Sequence, residues 1–135
     1  MDMDDVVEKA TSFGIKTIEV TGGEPLVQRN AIPLMQRLLD LGYEVMLETS
    51  GSITIADVPD AVHVIMDLKP PGSGEADSNL LENIDELQAN DEVKFVIASR
   101  DDYEWSMNMV REYTMSERCV VLFSPVWGSI EARDL

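Results

Sequence analysis

A glycine pair followed by a carboxylate and a proline is the segment of this chain best suited to ligand binding: Thr21-Gly22-Gly23-Glu24-Pro25. The β-branched, alternating residues over 17–20 predict a strand that ends at these glycines. Since glycine accepts positive φ and has no Cβ, main-chain N–H and C=O groups at the turn can approach a polar small molecule. Glu24 adds a negative charge, and Pro25 stiffens the turn by fixing its own φ. A glycine pair alone also fits an ordinary strand-to-helix turn.

Three more segments with polar side chains follow predicted strands: Glu48-Thr49-Ser50, Asp67-Leu68-Lys69 and Ser124-Pro125-Val126-Trp127. Parallel α/β sheets bind their ligands at the carboxyl ends of strands, so we expect these segments and the turn over 21–24 to line one cleft. Each segment also has a purely structural interpretation. The first would be a hydroxyl-capped turn, the second an exposed charge pair before a proline-rich loop, and the third a Trp packed against another segment.

Helix and strand patterns alternate along the chain. Apolar spacing and capping residues predict helices over 3–12, from a cap at Asn30 to a stop at Gly42, over 79–88 and over 101–113. Short β-branched runs predict strands over 17–20, 44–48, 62–66, 93–98 and 119–123. Strands joined by crossovers form parallel sheets with right-handed connections. The sequence therefore predicts a single α/β domain over 1–135, built as a parallel-sheet partial (β/α) barrel.

The Thr-Gly-Gly-Glu-Pro turn resembles the motif with which radical S-adenosylmethionine enzymes hold the amino group of that cofactor. Six segments in order, covering nearly the whole chain, resemble one family of that superfamily, the 7-carboxy-7-deazaguanine synthases. These segments are residues 21–28, 47–51, 67–74, 91–97, 102–105 and 122–127. The resemblance implies that the partial barrel is of the radical S-adenosylmethionine type.

The resemblance also implies roles for single residues. Thr21 would contact the pterin substrate, Gly23 the cofactor, and Glu24 the ammonium group of the cofactor. The remaining cofactor-binding residues implied by the family are Glu48, Thr49, Ser50, Asp67, Leu68, Lys69, Ser124, Pro125, Val126 and Trp127. Of these, the first three would meet polar groups such as the ribose or carboxylate, and the last four would close over the adenosine.

As a full-length enzyme, such a synthase is a carbon–nitrogen lyase. It uses S-adenosylmethionine, a 4Fe-4S cluster and Mg²⁺ for a radical ring contraction of 6-carboxy-5,6,7,8-tetrahydropterin to 7-carboxy-7-deazaguanine with loss of ammonia. The product is a precursor of queuosine and archaeosine in tRNA. The family further implies a homodimer and an external electron donor.

The chain departs from the family pattern in its cysteines. Family members hold the cluster with a Cys-x3-Cys-x2-Cys motif upstream of the glycine turn, and a threonine after that motif is a magnesium ligand. Here the only cysteine is Cys119, in an apolar strand pattern typical of a buried structural residue. We therefore interpret the chain as a fragment, inactive alone, that lacks the cluster motif and the end of the protein after the acidic segment 131–135. The alternatives are a cluster-free binding or assembly protein on the same scaffold, or another radical S-adenosylmethionine enzyme.

Acidic residues outnumber basic residues 26 to 10, which gives a net charge of −16. High salt would screen the resulting self-repulsion, so a halophilic source is our hypothesis; the rival is an acidic surface that docks a basic partner. Nucleic-acid binding needs clustered Lys and Arg side chains, so we expect no nucleic-acid partner. The sequence has no apolar run of about 20 residues and no basic-then-apolar start, which predicts a cytoplasmic protein without a membrane span or signal peptide. His63 lacks ligand-spaced partners and is expected to be structural.

Overall fold

A computed structural model describes residues 2–134 and shows a five-stranded, wholly parallel sheet. The strands are β1 (Thr17–Val20), β2 (Glu44–Thr49), β3 (His63–Leu68), β4 (Glu92–Ile97) and β5 (Val120–Pro125). The helices are α1 (Met3–Thr11), α2 (Ala31–Asp40), α3 (Asn83–Glu86) and α4 (Arg100–Glu112). Short 3-10 turns occupy Pro25–Val27, Pro71–Ser73, Ala76–Ser78, Met115–Glu117 and Ala132–Asp134. The sheet is not closed, which confirms the predicted α/β partial barrel.

The strands lie in sequential order, so each one pairs only with its neighbours in the chain. Consecutive right-handed crossovers in that order carry the connections to the same side of the sheet. The hydrophobic core lies on this side, where alternate residues of β2, β3 and β4 pack against buried residues of the helices. Its largest fully buried side chains include Phe95, Met35, Leu38, Leu47, Met66 and Leu68.

The opposite side of the sheet is partly exposed and carries charge. We call it the open face and define it by six residues that alternate with core residues on β1 to β4: Glu19, Met46, Glu48, Ile65, Asp67 and Lys94. Register pairs in a parallel sheet point to the same side, and Asp67 is paired with Lys94. The sheet therefore separates an apolar core from a face whose charged groups are available for binding.

Side-chain caps begin two of the helices. Asp2 and Asp5 form a reciprocal capping box at α1, with N···O distances of 2.9 and 3.1 Å. At α4 the hydroxyl of Ser99 accepts a hydrogen bond from the main-chain N–H of Asp102. Asn30 does precede α2 as expected, but the prediction of a side-chain cap there was wrong. Its backbone (φ −96°, ψ 1°) lacks the extended conformation of a capping residue, and its side chain makes no cap bond.

The helix predicted over 79–88 was also largely wrong, since only the single turn of α3 is helical there. The side chains that could have capped a helix bind distant main chain instead. Asn79 exchanges two hydrogen bonds with the backbone of Lys69, and Asn83 binds the backbone of Gly51, Ile53 and Ile55. Tertiary contacts thus overrode a local pattern that favoured helix.

Several strands extend further than predicted. Glu48 belongs to β2, in agreement with the strand predicted over 44–48. Thr49 also belongs to β2, Asp67 and Leu68 to β3, and Ser124 and Pro125 to β5, so these five residues do not follow their strands as expected. Because successive side chains of a strand point to opposite faces of the sheet, the position of each residue in its strand determines the face on which its side chain lies. Glu48 and Asp67 lie on the open face, whereas Thr49 and Leu68 are buried on the core side.

Cys119 is buried, as the sequence predicted. The half-buried His63 lies on β3 with its Nε2 3.2 Å from Oε1 of Glu92, outside hydrogen-bond geometry. The acidic segment 131–135 forms the 3-10 turn Ala132–Asp134, and Leu135 lies outside the described residues. None of the helices in the described residues has the length and hydrophobicity of a membrane span.

Candidate functional site

A polar cleft of about 150 Å³ lies at the carboxyl ends of β1, β2 and β3. Residues from three of the predicted segments line it: Thr21, Gly22, Gly23, Glu48, Thr49, Ser50, Asp67 and Lys69. The structure thus brings together side chains that are up to 48 positions apart in sequence, from Thr21 to Lys69. The position of the cleft agrees with the rule that parallel sheets place ligands beyond the carboxyl ends of their strands.

The two glycines form the part of the cleft that follows β1. Gly22 and Gly23 have φ of 102° and 58°, a region that residues with a Cβ rarely adopt. A Cβ at either position would meet no atom within 4 Å. Glycine is therefore required here by backbone conformation, and the free space above the turn leaves its main-chain groups open to a ligand.

The Glu24 side chain points at the end of β2 and is not among the residues that line the cleft. Its carboxylate accepts hydrogen bonds from the hydroxyl of Thr49 (2.9 and 3.0 Å) and from the main-chain N–H and hydroxyl of Ser50 (2.8 and 2.5 Å). It also accepts one from the N–H of Leu26 at 3.1 Å. Glu24 therefore connects the loop after β1 to the end of β2 and fixes two cleft residues.

These contacts also decide the charge state of Glu24. Burial acts to raise the pKa of its carboxyl, but the hydrogen bonds from Ser50, Leu26 and Thr49 favour the ionised form more strongly. The net pKa lies below its usual value, so Glu24 is a carboxylate at neutral pH.

A chain of hydrogen bonds crosses the open face from β4 to the glycine turn. The ammonium group of Lys94 donates to Oε1 of Glu48 at 2.6 Å, and the hydroxyl of Thr21 donates to Oε2 of the same carboxylate at 2.9 Å. The hydrogen bond from Lys94, followed by that from Thr21, lowers the pKa of Glu48. Sequence reasoning gave Lys94 no role, although a charged residue between buried Val93 and Phe95 indicates a side chain on the opposite face.

Asp67 and Lys69 form an ion pair at the third strand, with Nζ 2.6 Å from Oδ2. The other oxygen, Oδ1 of Asp67, is buried and has no hydrogen-bond partner among the described residues. Buried acceptors are normally paired, so this atom is suited to accept from a ligand donor. Asn79 fixes the backbone of Lys69 with bonds to both its N–H and C=O, each 2.9 Å long.

Asp102 holds the loop that continues from Lys69. Its carboxylate is only 3% exposed and accepts from the N–H of Gly72 at 2.8 Å and of Ala98 at 3.3 Å. The sequence placed Asp102 at a helix start but gave no signal of this partner 30 residues away. Asp102 and Asn79 are therefore positioning residues that the sequence analysis missed.

The segment 124–127 is not part of this lining. It ends β5, and β4 separates it from β3 in the sheet. Trp127 is 99% exposed and Ser124 is exposed, while the side chains of Pro125 and Val126 are half-buried. The adenosine contact expected for these four residues stays a prediction.

Comparison with known proteins tests the resemblance itself. The chain is 44% identical over 123 residues to the 7-carboxy-7-deazaguanine synthase of Koribacter versatilis, which covers 90% of this chain and 54% of that protein. It is 35% identical to the synthase of Chlorobaculum tepidum over 139 aligned positions, covering 100% of this chain and 63% of the relative. Over most of its length, the chain is similar to 7-carboxy-7-deazaguanine synthases. No protein-family model matches it.

The similarity extends to the 7-carboxy-7-deazaguanine synthase of Thermoplasma acidophilum, at 36% identity over 81% of this chain and 52% of the relative. The chain thus spans between about half and two thirds of the length of these synthases. All three relatives are named as synthases, so the alternative of a cluster-free binding or assembly protein is not favoured.

The residues described here do not fit the iron–sulfur cluster that the resemblance to these synthases implies. Three thiolates are needed, and the single Cys119 is buried and bonded to the carbonyl of Met115. Burial also raises the pKa of its thiol above the usual value, which disfavours the thiolate. Among residues 2–134 no group of three His, Cys, Asp or Glu side chains could hold a metal ion.

A second cleft of about 250 Å³ adjoins the polar one, and the two share Thr21 and Gly22. Its walls come from the start of α1, the end of β1 and the start of α2, and include Met3, Val6 and Leu34. Thr21 therefore lies between a polar and a more apolar compartment.

Proposed function

We propose that this chain is part of a 7-carboxy-7-deazaguanine synthase, a cytoplasmic carbon–nitrogen lyase, and that its polar cleft binds S-adenosylmethionine beside a pterin substrate. The similarity to named synthases supports the proposal. The observation that carries it is the convergence of three separate motifs on one cleft. In the complete enzyme, S-adenosylmethionine would supply the radical that starts the ring contraction of 6-carboxy-5,6,7,8-tetrahydropterin.

The groups in the cleft match the polar groups of S-adenosylmethionine. Its ammonium and ribose hydroxyls are donors, for which the unpartnered Oδ1 of Asp67 is an acceptor. The ammonium of Lys69 and the open main chain of Gly22 and Gly23 can meet its carboxylate. Glu24 would contribute by holding Thr49 and Ser50 in place, in addition to its charge near the ligand ammonium.

Replacement of Asp67 by alanine tests this assignment. We expect the chain to bind S-adenosylmethionine with 1:1 stoichiometry in isothermal titration calorimetry, and Asp67→Ala to weaken binding about tenfold or more. A hydrogen bond to a charged group contributes roughly 1.5–3 kcal/mol, and about 1.4 kcal/mol corresponds to a factor of ten. Glu112→Ala removes the same charge from the exposed end of α4 and should bind like the unaltered chain. Absence of binding, or equal losses in both variants, would contradict the proposed site.

We further propose that the protein comes from a high-salt environment, because its net charge of −16 makes the folded state repel itself. The Debye length falls from roughly 10 Å at 0.1 M to roughly 3 Å at 1 M salt, so KCl should stabilise the fold. We expect the melting temperature to rise by about 5 °C or more between about 0.1 M and 2 M KCl. A flat or falling melting temperature over that range would eliminate the idea.

A further inference from the structure

Lys94 occupies the open face with its ammonium directed at the cleft residue Glu48. It is half-buried, lies between the fully buried Val93 and Phe95, and pairs in register with Asp67 on β3. The hydrogen bond to Glu48 raises the pKa of Lys94, and the charges of Glu48, Asp67 and Glu19 act in the same direction. Lys94 is therefore a fixed cation behind the cleft wall.

The two oxygens of Glu48 have different partners. Lys94 holds Oε1, so Oε2 faces β1 and accepts a hydrogen bond from the Thr21 hydroxyl. A hydroxyl has one donor and two acceptor positions. With its donor engaged by Glu48, Thr21 can offer only lone pairs to a molecule in the cleft.

We propose that Lys94 is a positioning residue which, through Glu48, makes the Thr21 hydroxyl an acceptor for an N–H group of the ligand. The identity of that ligand rests on the proposed function: a pterin has several ring and amino N–H donors. The Thr21 hydroxyl therefore favours a ligand that presents a hydrogen-bond donor to it. A ligand group that offers only acceptors would place its lone pairs against those of the hydroxyl.

The surrounding charges make this arrangement dependent on Lys94. The pKa of Lys94 is raised by the charges of Glu48 on β2, Asp67 on β3 and Glu19 on β1. The pKa of Glu48 is lowered by Lys94 and by Lys69, which follows β3. Glu24 is a further carboxylate near the end of β2. Without Lys94, the Asp67–Lys69 pair and the Glu19 charge remain, and Glu48 loses its direct cation. Its carboxylate is then no longer held with Oε2 toward β1 and can turn away from Thr21, which frees the Thr21 hydroxyl to act as a donor.

The direct test follows the titration of the Glu48 carboxyl carbon by NMR in the ligand-free chain. We expect Lys94→Met to raise the Glu48 pKa by about one unit or more, since a neighbouring opposite charge lowers a carboxyl pKa by roughly 1–3 units. Lys94→Arg should restore most of the shift. Lys16→Met removes an equal charge from an exposed residue that contacts the Tyr43 ring and should leave Glu48 unchanged. An equal Glu48 titration in Lys94→Met and the unaltered chain would overturn the proposal.

Ligand binding gives a second test, with 6-carboxypterin as a stable probe. We expect Lys94→Met and Thr21→Val each to weaken its binding about tenfold, and the double variant to lose little more, because both act through one hydroxyl. Additive losses would overturn the role of Lys94. If the unaltered chain fails to bind 6-carboxypterin, the proposed pterin substrate is wrong, while the Glu48 titration still decides what Lys94 does.

Discussion

Replacing Glu24 with alanine is expected to lower the free energy of unfolding by about 3 kcal/mol and to weaken ligand binding in the cleft. The variant leaves the N–H of Ser50 and the nearly buried hydroxyl of Thr49 without their acceptor. Each buried donor that loses its partner costs roughly 1–3 kcal/mol. Chemical denaturation at neutral pH measures the change, with Glu112→Ala as the charge-matched control.

The pH dependence of stability separates the charge of Glu24 from its shape. Because the folded-state pKa is lowered, the ionised carboxylate stabilises the protein above the unfolded pKa of about 4.3. That contribution disappears as pH falls through the lower folded pKa. Glu24→Gln should therefore be less stable than the unaltered chain at pH 7, and the difference should narrow below about pH 4. A difference that stays constant with pH would show that the charge of Glu24 has no part in the contact.

Asp102→Ala is expected to destabilise the protein by a comparable amount, about 3 kcal/mol. It removes the buried acceptor of the N–H groups of Gly72 and Ala98 and so releases the loop after Lys69. Hydrogen exchange should become faster at Gly72, while the amides of α1 should change little. Asp102→Asn, which keeps one acceptor oxygen, should lose roughly a third to a half as much stability. Unchanged exchange at Gly72 would mean that another contact holds the loop.

Gly72→Ala tests the same contact from the other side. A Cβ on Gly72 would lie 2.6 Å from both carboxylate oxygens of Asp102, so we expect a loss of about 2 kcal/mol. In the Asp102→Ala background that clash is absent, and the same substitution should cost much less. Gly74→Ala is the matched control, because a Cβ there meets no atom within 4 Å and only its φ of 77° opposes the change.

The sequence predicted most of what local patterns determine. Residues 17–20 alternate between polar and apolar, three of the four are β-branched, and they form β1 with the predicted bounds. The helix stop at Gly42 was also found, because this glycine has the positive φ of a helix stop. The strands around Leu47 and Phe95 were found because buried apolar residues alternate with more exposed ones. The rule for strand ends predicted that four segments would line one cleft. Three of them contribute residues to it, and the fourth, 124–127, lies outside the lining.

What the sequence did not predict depends on contacts between distant residues. Nothing local to Glu24 shows that its carboxylate contacts Thr49 and Ser50, and nothing local to Asp102 shows that it meets Gly72. The helix expected over 79–88 failed for the same reason, because Asn83 is used to hold a loop about 30 residues away. Which remote backbone group a side chain meets depends on the register of the sheet, and this register cannot be read from a single sequence.

The sequential strand order also has a consequence for cooperativity. Each strand contacts only the strands before and after it, so the sheet behaves as a one-dimensional stack in which local opening can begin at an edge. β1 is such an edge, is four residues long and has no buried residue, while β3 and β4 in the interior each bury three. A ligand that bridges the glycine turn after β1 and Asp67 on β3 would couple this edge strand to the centre of the sheet. Binding would then lower the population of edge-opened states, even if no atom of the fold moved.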